Sequence, residues 1–233
     1  MKIIKNEKLI KRNSIIGQWT SIIALLVLGG GLYVTFTNPA DPQLVTYSLG
    51  ALVLGFVLTQ VGMYLGNRWG RSPRPDEKID ASLKGLQNDF TIYHFTAPAS
   101  HLLVGPAGVW VLLPYRQRGR VSYTKNRWRV GNGGFLQMYM SIFGQEGIGR
   151  PDLEADGEMK AVQKLLSKSF NENNIPNVQA ALIFMNEAVE IQSEGAPLPA
   201  LKLKQLKEFM RQKAKEKPIS AVQLAGIKSA LPE

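Results

Sequence analysis

Six cationic side chains lie close together in the middle of the chain, and no acidic residue interrupts them. They are Arg116, Arg118, Arg120, Lys125, Arg127 and Arg129. Tyr115, Tyr123 and Trp128 are interleaved with them, and Tyr115 and Trp128 belong to the candidate site. Guanidinium groups bind phosphates through paired hydrogen bonds, and aromatic rings stack on bases. The segment therefore predicts a surface that binds an anionic partner, and DNA or RNA suits both residue types.

A solvated surface beside an anionic membrane is the alternative interpretation of the same cations. Each Lys or Arg close to such a bilayer contributes about 1 kcal/mol to membrane binding. The aromatic residues would then be ordinary core residues. The formal net charge of +10 and the pI of about 9.8 favour nucleic acid or lipid head groups without choosing between them.

Composition excludes several kinds of chemistry. The chain has no cysteine, which rules out disulfides, thiolate metal sites and cysteine nucleophiles. Its two histidines, His94 and His101, are too few for a histidine-rich metal site. Between Phe90 and Gln145 there is no Asp or Glu, whereas Mg²⁺-dependent phosphodiester cleavage needs oxygen ligands. We therefore expect no catalytic residue, no bound metal and no cofactor.

The elements that position this segment begin with two long uncharged stretches, 13–40 and 42–67. Each exceeds the roughly 20 residues that a helix needs to span a bilayer. The segment between them, TNPADPQ, is rich in turn-forming residues. We predict a transmembrane helical hairpin. A cleaved signal peptide is the alternative for the first stretch, but its apolar run is unusually long and a second span follows at once.

The distribution of cations predicts which way the hairpin faces. The cations before the first span are Lys2, Lys5, Lys8, Lys11 and Arg12. Those after the second span are Arg68, Arg71 and Arg74. The connecting loop carries only Asp41. By the positive-inside rule both termini face the cytoplasm, in the cytoplasmic (inner) membrane, where the flanking cations contact anionic lipid.

Glycines within the spans favour close packing of helices. They include Gly29, Gly30, Gly31, Gly50 and Gly55. Gly62 and Gly66 form a GxxxG pattern, through which two chains can also associate. A homo-oligomer through the transmembrane helices is therefore among the expected partners.

The remainder predicts an α/β domain, a mixed sheet flanked by helices. Pro75 suits the first position of a helix, Asp76 and Glu77 suit its first turn, and Ile79, Leu83 and Leu86 fall on one face of it. Apolar runs and turn signals predict strands at 90–95, 101–104, 109–115, 119–123, 127–130, 178–185 and 189–192. The strands at 119–123 and 127–130 are expected to form a hairpin around Lys125 and Asn126. Helical spacing predicts later helices at 133–145, 150–170, 200–214 and 219–231. The expected organisation is a basic N-terminus (1–13), a transmembrane hairpin (14–67), a linker (68–75) and a domain (76–233).

The order of these elements and part of their text resemble the nuclease-related domain (NERD) family, a branch of the restriction-endonuclease-like superfamily. The resemblance covers about residues 76 to 231. It is carried by LKGL (83–86), SHLLVGPAGVWVLLPY (100–115), Gly119 and Trp128, followed by RPDLEADGEMKAVQKLL, VQAALIFM and ISAVQLAGIKSAL. It implies a restriction-endonuclease-like core whose strand hairpin carries a catalytic Asp, Glu and Lys.

This chain departs from the family at those catalytic positions. The Asp position falls on Ser100, the Glu position on Leu113 and the Lys position on Tyr115. An acid in the first helix remains and is matched to Glu77. Leucine and tyrosine cannot hold a divalent cation or replace its lysine partner. The resemblance therefore implies a degenerate nuclease frame, a pseudoenzyme.

Three functions follow from these observations. The first, which we favour, is a membrane-anchored and catalytically inactive domain that binds DNA or RNA through the basic segment. The second is a structural or interaction protein at the inner membrane face. The third is a metal-dependent nuclease with displaced carboxylates, such as Glu77, Asp80 or Glu154.

Overall fold

In the computed structural model of the chain, residues 1–131, 147–170 and 175–232 are described. They form two compact units. One is the helical segment Glu7–Arg74, and the other joins Met1–Asn6 to Pro75–Glu233. The helix predicted at 133–145 lies outside the described residues.

The first unit is a helical hairpin, as the two uncharged stretches predict. Helix α1 spans Glu7–Thr37 and α2 spans Pro42–Leu65, followed by a π-helical turn at Gly66–Gly70. Asp41 caps α2, since its carboxylate accepts the backbone N–H of Gln43 at 2.9 Å. Both helices are long and apolar enough to cross a membrane. Only 11% of the most apolar window of each is buried, whereas a core helix of a soluble protein is mostly buried.

The two helices pack through buried positions that recur every seven residues and, apart from Ile10, carry small residues. The buried positions are Ile10, Gly17, Ala24 and Gly31 in α1, and Ser48, Gly55 and Gly62 in α2. A seven-residue period is that of coiled-coil packing, which keeps one face of each helix against the other. Small residues let the two backbones approach closely. These buried positions form the contact between the two helices, here called the seam. Near the loop, Thr35 donates a hydrogen bond to Ser48 across it, with 2.8 Å between the oxygens.

The seam uses only some of the glycines that the sequence offers. A Cβ on Gly31 would lie 2.9 Å from the Cβ of Ala51, and one on Gly62 would lie 2.5 Å from Ser21 Oγ. Among the described residues, a Cβ would meet nothing within 4 Å at Gly29, Gly30, Gly50 or Gly66. The two glycines of the GxxxG pattern therefore differ, because a side chain would collide with the other helix at Gly62 but not at Gly66. A homo-oligomer through these helices stays a prediction.

Gly31 and its neighbour Gly30 offer a matched test of the seam. The chain has no cysteine, so a disulfide between Thr35→Cys and Ser48→Cys reports whether the helices are close. We expect this pair to oxidise rapidly. Adding Gly31→Val should slow oxidation several-fold, because the new methyl groups collide with Ala51. Adding Gly30→Val should leave the rate unchanged, and equal rates in the two variants would contradict the seam.

Nine described strands form the sheets of the second unit. They are β1 (Lys2–Lys5), β2 (Thr91–His94), β3 (His101–Gly105), β4 (Gly108–Tyr115), β5 (Arg120–Thr124), β6 (Arg127–Gly131), β7 (Val178–Phe184), β8 (Glu190–Gln192) and β9 (Ala200–Lys202). The larger sheet has the strand order β1-β2-β3-β4-β7-β9, and the smaller one has the order β6-β5-β8. In the larger sheet β3 is antiparallel to β2 and β4, and the other pairs are parallel. The α/β class with a mixed sheet is as predicted.

Helices cover both faces of the larger sheet. They are α3 (Pro75–Leu83), α4 (Pro151–Leu166), α5 (Leu206–Glu216) and α6 (Ala221–Ser229). The face that packs with α4 and α6, here the α4 face, includes Leu102, Val111 and Leu182. The opposite face, here the α3 face, packs with α3 and α5 and includes Leu103, Leu112 and Ile183. Alternate residues of each strand thus fill two separate apolar layers.

The N-terminal strand is the largest departure from the sequence prediction. In place of a basic tail over 1–13, Lys2–Lys5 form β1 and pair with β2 in parallel. Ile4 packs against the core of the α4 face, whereas Ile3 is exposed. A strand of four residues is too short for a clear period-2 pattern, and its partner lies beyond both apolar helices. The larger sheet therefore contains residues from before α1 and after α2.

Two predicted helices begin or end elsewhere in the structure. The helix predicted from Ala200 begins at Leu206, because Ala200–Lys202 pair with β7 as an edge strand. The first domain helix begins at Pro75 as predicted but ends at Leu83. Gly85 follows with a φ of +80°, a left-handed conformation that is common after helices.

Candidate nucleic-acid interface

The basic segment folds into the smaller sheet as a hairpin of β5 and β6. Lys125 and Asn126 form its turn, with φ values of 51° and 56°. Two successive residues at positive φ are typical of a type I′ turn, whose twist matches that of the strands. The hairpin that the sequence predicts around these two residues is confirmed.

Side-chain alternation gives this hairpin a polar and an apolar face. Its outward residues, here called the basic face, are Arg120, Ser122, Thr124, Arg127 and Arg129. Its inward residues are Val121, Tyr123, Trp128 and Val130. Arg127 and Arg129 are exposed, and the side chain of Arg120 is 43% exposed. Three guanidinium groups therefore share one surface, with two hydroxyl groups between them.

One acidic side chain pairs with the basic face. Glu190 of β8 accepts a hydrogen bond from Arg120 Nε at 3.2 Å. An exposed ion pair of this kind contributes at most about 1 kcal/mol, so Arg120 can exchange it for a phosphate. Within the described part of the chain, Arg127 and Arg129 form no ion pair. The face therefore keeps a net positive charge.

Arg116 and Arg118 do not lie in the strands. An extended segment would place both on one face with Arg120, but β4 ends at Tyr115 and β5 begins at Arg120. Both side chains are exposed in the connection, where Gly119 adopts a φ of +74°. The row of three arginines that an extended segment would give is not formed, because the chain passes here from one sheet to the other.

The two aromatic residues of the predicted site are buried. Trp128 is 5% exposed, and its Nε1 donates to Asp152 Oδ1 at 3.0 Å. Tyr115 is 8% exposed, and its hydroxyl donates to Glu154 Oε2 at 2.6 Å. Neither ring is available to stack on a base in this structure. The predicted surface is therefore corrected: it consists of cations, and these two rings belong to the core.

Helix α4 supplies carboxylates to two of the positions where the resemblance implies catalytic residues. Ser100 donates from its hydroxyl to Glu158 Oε1 at 2.9 Å and from its backbone N–H to Oε2 at 3.2 Å. Tyr115 is bound to Glu154, one helical turn before Glu158. Leu113 is 2% exposed and packs in the apolar core. All three positions thus make contacts that hold the fold together.

The hydroxyl of Tyr115 is held in its neutral form. Burial raises the pKa of Tyr115 far above its ordinary value of 10.0, and the hydrogen bond and charge of Glu154 raise it further. The charges of Glu158 and Asp152 act in the same direction. Tyr115 therefore donates a hydrogen bond that joins β4 to α4, and it cannot supply the positive charge of a lysine.

A second polar cluster lies on the α3 face of the larger sheet. His94 and His101 are buried, with 2.7 Å between their Nδ1 atoms. His94 Nε2 lies 2.9 Å from Asp80 Oδ1. Lys5 of β1 contacts Asp80 Oδ2 at 2.5 Å and Asp76 Oδ2 at 3.2 Å. The cluster thus connects β1, α3, β2 and β3.

The charges in this second cluster depend on one another. Asp76 has no exposed surface, and a buried carboxylate is costly unless cations or hydrogen bonds compensate it. Burial acts to lower the pKa of Lys5, but the hydrogen bond and charge of Asp80, and then those of Asp76, raise it above its ordinary value. Lys5 therefore stays cationic and helps to compensate both carboxylates.

Two of the acids considered for a displaced metal site, Asp80 and Glu154, lie on opposite faces of the larger sheet. Asp80 contributes to the cluster on the α3 face and Glu154 to the contacts on the α4 face, so the sheet separates them. Ser100 and His101 likewise point to opposite faces. Among the described residues, no group of three or more His, Asp and Glu side chains is arranged to hold a metal ion. The geometry gives the displaced-carboxylate hypothesis no support.

Sequence reasoning did not predict that the α4 carboxylates accept hydrogen bonds from Ser100 and Tyr115, or that Lys5 pairs with Asp76 and Asp80. Glu154 and Glu158 are four residues apart and so share one side of a helix, a spacing that the sequence shows. Nothing local connects that side with Ser100 or Tyr115, which are far away in the chain. Lys5 gives no local signal either, because its partners follow both apolar helices.

Comparisons with family models, curated proteins and solved structures gave no match for this chain. The mixed sheet flanked by helices agrees with the predicted class. The resemblance to the nuclease-related domain family rests on the quoted segments alone, and membership remains a proposal.

Tyr115→Phe tests the buried hydrogen bond through its pH dependence. Because the folded pKa is raised, the unfolded chain loses this proton first. The stability that the group contributes is complete below the unfolded pKa of about 10 and falls as the pH rises above it. The wild-type chain should lose stability above about pH 10, and Tyr115→Phe should lose less. Denaturant unfolding followed by tryptophan fluorescence measures this slope.

Tyr123→Phe is the matched control for that experiment. The ring of Tyr123 packs against Trp128 with centroids 5.3 Å apart, and its hydroxyl makes no hydrogen bond within the described residues. This variant should keep the wild-type dependence on pH. A Tyr115→Phe variant with the same slope as wild type would show that the buried hydroxyl does not govern alkaline stability.

Proposed function

We propose that the protein is a membrane-anchored domain that binds DNA or RNA through its basic face without cleaving it. The observation that carries the proposal is the placement of Arg120, Arg127 and Arg129 on one exposed surface of a small sheet. Phosphate groups are bound well by clustered guanidinium groups. Further exposed cations adjoin this surface along the chain, namely Arg116, Arg118 and Lys125.

Two features support an anchor whose two ends face the cytoplasm. The cations that flank α1 and α2 follow the positive-inside rule, and the loop between the helices has none. In addition, β1 precedes α1 and pairs with β2, which follows α2. Two strands can pair only on the same side of a membrane. The two helix crossings between β1 and β2 return the chain to the side on which it began, as this pairing requires. Cleavage of the first helix as a signal peptide would remove β1 from the sheet.

The contacts at the expected catalytic positions support a domain that binds nucleic acid without cleaving it. Ser100 and Tyr115 bind carboxylates of α4, and Leu113 fills the core. The proposal includes a restriction-endonuclease-like core related to the nuclease-related domain family, from which the chemistry has been lost. What the core retains is a rigid support for the basic face, since Trp128 fixes β6 to Asp152 of α4.

Binding of duplex DNA to the full chain in a zwitterionic detergent tests the proposal across a salt series. The logarithm of the association constant falls with the logarithm of salt by about 0.9 per phosphate contact. Arg127→Gln with Arg129→Gln removes two cations from the basic face and should reduce this slope by about 2. Lys164→Gln with Lys168→Gln removes the same charge from exposed positions in α4 and just after it.

That control variant should keep nearly the wild-type slope. Equal slopes for the two double variants would overturn the proposal. Tight binding of the wild-type chain to phosphatidylglycerol vesicles without binding to DNA would assign the basic face to the membrane. If DNA and vesicles bind the wild-type chain no more tightly than they bind the Arg127→Gln, Arg129→Gln variant, a structural role at the membrane is the better account.

A further inference from the structure

We infer that the basic face binds the phosphodiester backbone of a duplex and does not read the bases of a single strand. This inference rests on the proposed function and names the class of nucleic acid that the face suits. It follows from the side chains that the face exposes, from the packing beneath it and from the density of its charges.

The basic face exposes groups that bind phosphate but no ring on which a base can stack. Its side chains end in guanidinium or hydroxyl groups, at Arg120, Ser122, Thr124, Arg127 and Arg129. The aromatic residues of the same hairpin, Tyr123 and Trp128, point inward and pack against each other. Proteins that bind single strands gain affinity from each base that stacks on an aromatic ring. The hairpin offers no such gain.

The packing beneath the face prevents the hairpin from entering a groove as a free ribbon. Val121 has no exposed surface, and Trp128 is held by Asp152 of α4. The major groove, about 12 Å wide, admits a two-stranded ribbon, whereas β8 pairs with the other edge of β5 and makes the basic face part of a three-stranded sheet. The basic face therefore meets a duplex from outside, where the phosphates lie.

The charges of the face suit a dense row of phosphates. Arg127 and Arg129 are two residues apart in β6, which separates their Cα atoms by about 7 Å. A duplex carries one negative charge per about 1.7 Å of its axis, twice the density of one of its strands. Long arginine side chains at this separation reach different phosphates of a duplex at once. Among the described ion pairs, Glu190 alone offsets a cation of the face.

Competition for the full chain in zwitterionic detergent tests this inference. A labelled duplex is displaced by the same duplex, by a duplex of unrelated sequence, or by either separated strand at equal nucleotide concentration. We expect the two duplexes to compete equally and the single strands to compete several-fold more weakly. Arg127→Lys with Arg129→Lys should keep most of the affinity, because backbone contact needs charge more than the forked geometry that reads guanine. Arg127→Gln with Arg129→Gln should lose it.

The experiment distinguishes failure of this inference from failure of the proposed function. Single strands that compete as well as the duplex, or a large difference between the two duplexes, would overturn this inference while the proposed function stands. Equal binding of every polynucleotide to the wild-type chain and to the Arg127→Gln, Arg129→Gln variant would overturn the inference and the proposed function together.

Discussion

The pairing of β1 with β2 is the contact on which the rest of the structure depends. It brings residues from before the first apolar helix into one sheet with residues from after the second. It also places Lys5 against the fully buried Asp76 and the largely buried Asp80, two carboxylates that need a compensating cation. A fragment that begins after the hairpin would lack both the edge strand and this cation. The domain is therefore complete only in the full chain.

The larger sheet has a separate set of polar contacts on each of its faces. The basic face belongs to the smaller sheet and takes part in neither set. On the α3 face, Lys5 and the two histidines join the N-terminal strand to the core. On the α4 face, the acidic side of α4 receives hydrogen bonds from Ser100, Tyr115 and Trp128. The carboxylates of α4 thus accept hydrogen bonds from the strands and hold the helix to them. The arginines of β5 and β6 point outward, and among the described ion pairs only the one between Arg120 and Glu190 offsets their charge.

The sequence predicts what depends on local pattern and misses what depends on distant contacts. The two apolar helices, the α/β class and the turn at Lys125 and Asn126 follow from hydropathy, alternation and turn-forming residues. Alternation also places Arg127 and Arg129 on one face. Burial of Trp128 was the alternative interpretation and not the favoured one, because aromatic residues between arginines suit both a core and a stacking surface. The β1 strand escaped prediction because its pairing partner lies beyond both apolar helices.

The side of the membrane on which β1 lies relative to the domain is the most direct test of this account. The chain has no cysteine, so single cysteines can be introduced at the exposed positions Lys2, Asn38 and Glu187. In sealed vesicles of one orientation, a membrane-impermeant maleimide should label Asn38→Cys from one side. It should label Lys2→Cys and Glu187→Cys from the other side only. Labelling of these two positions from opposite sides would contradict the shared sheet, and with it the anchored arrangement proposed for the protein.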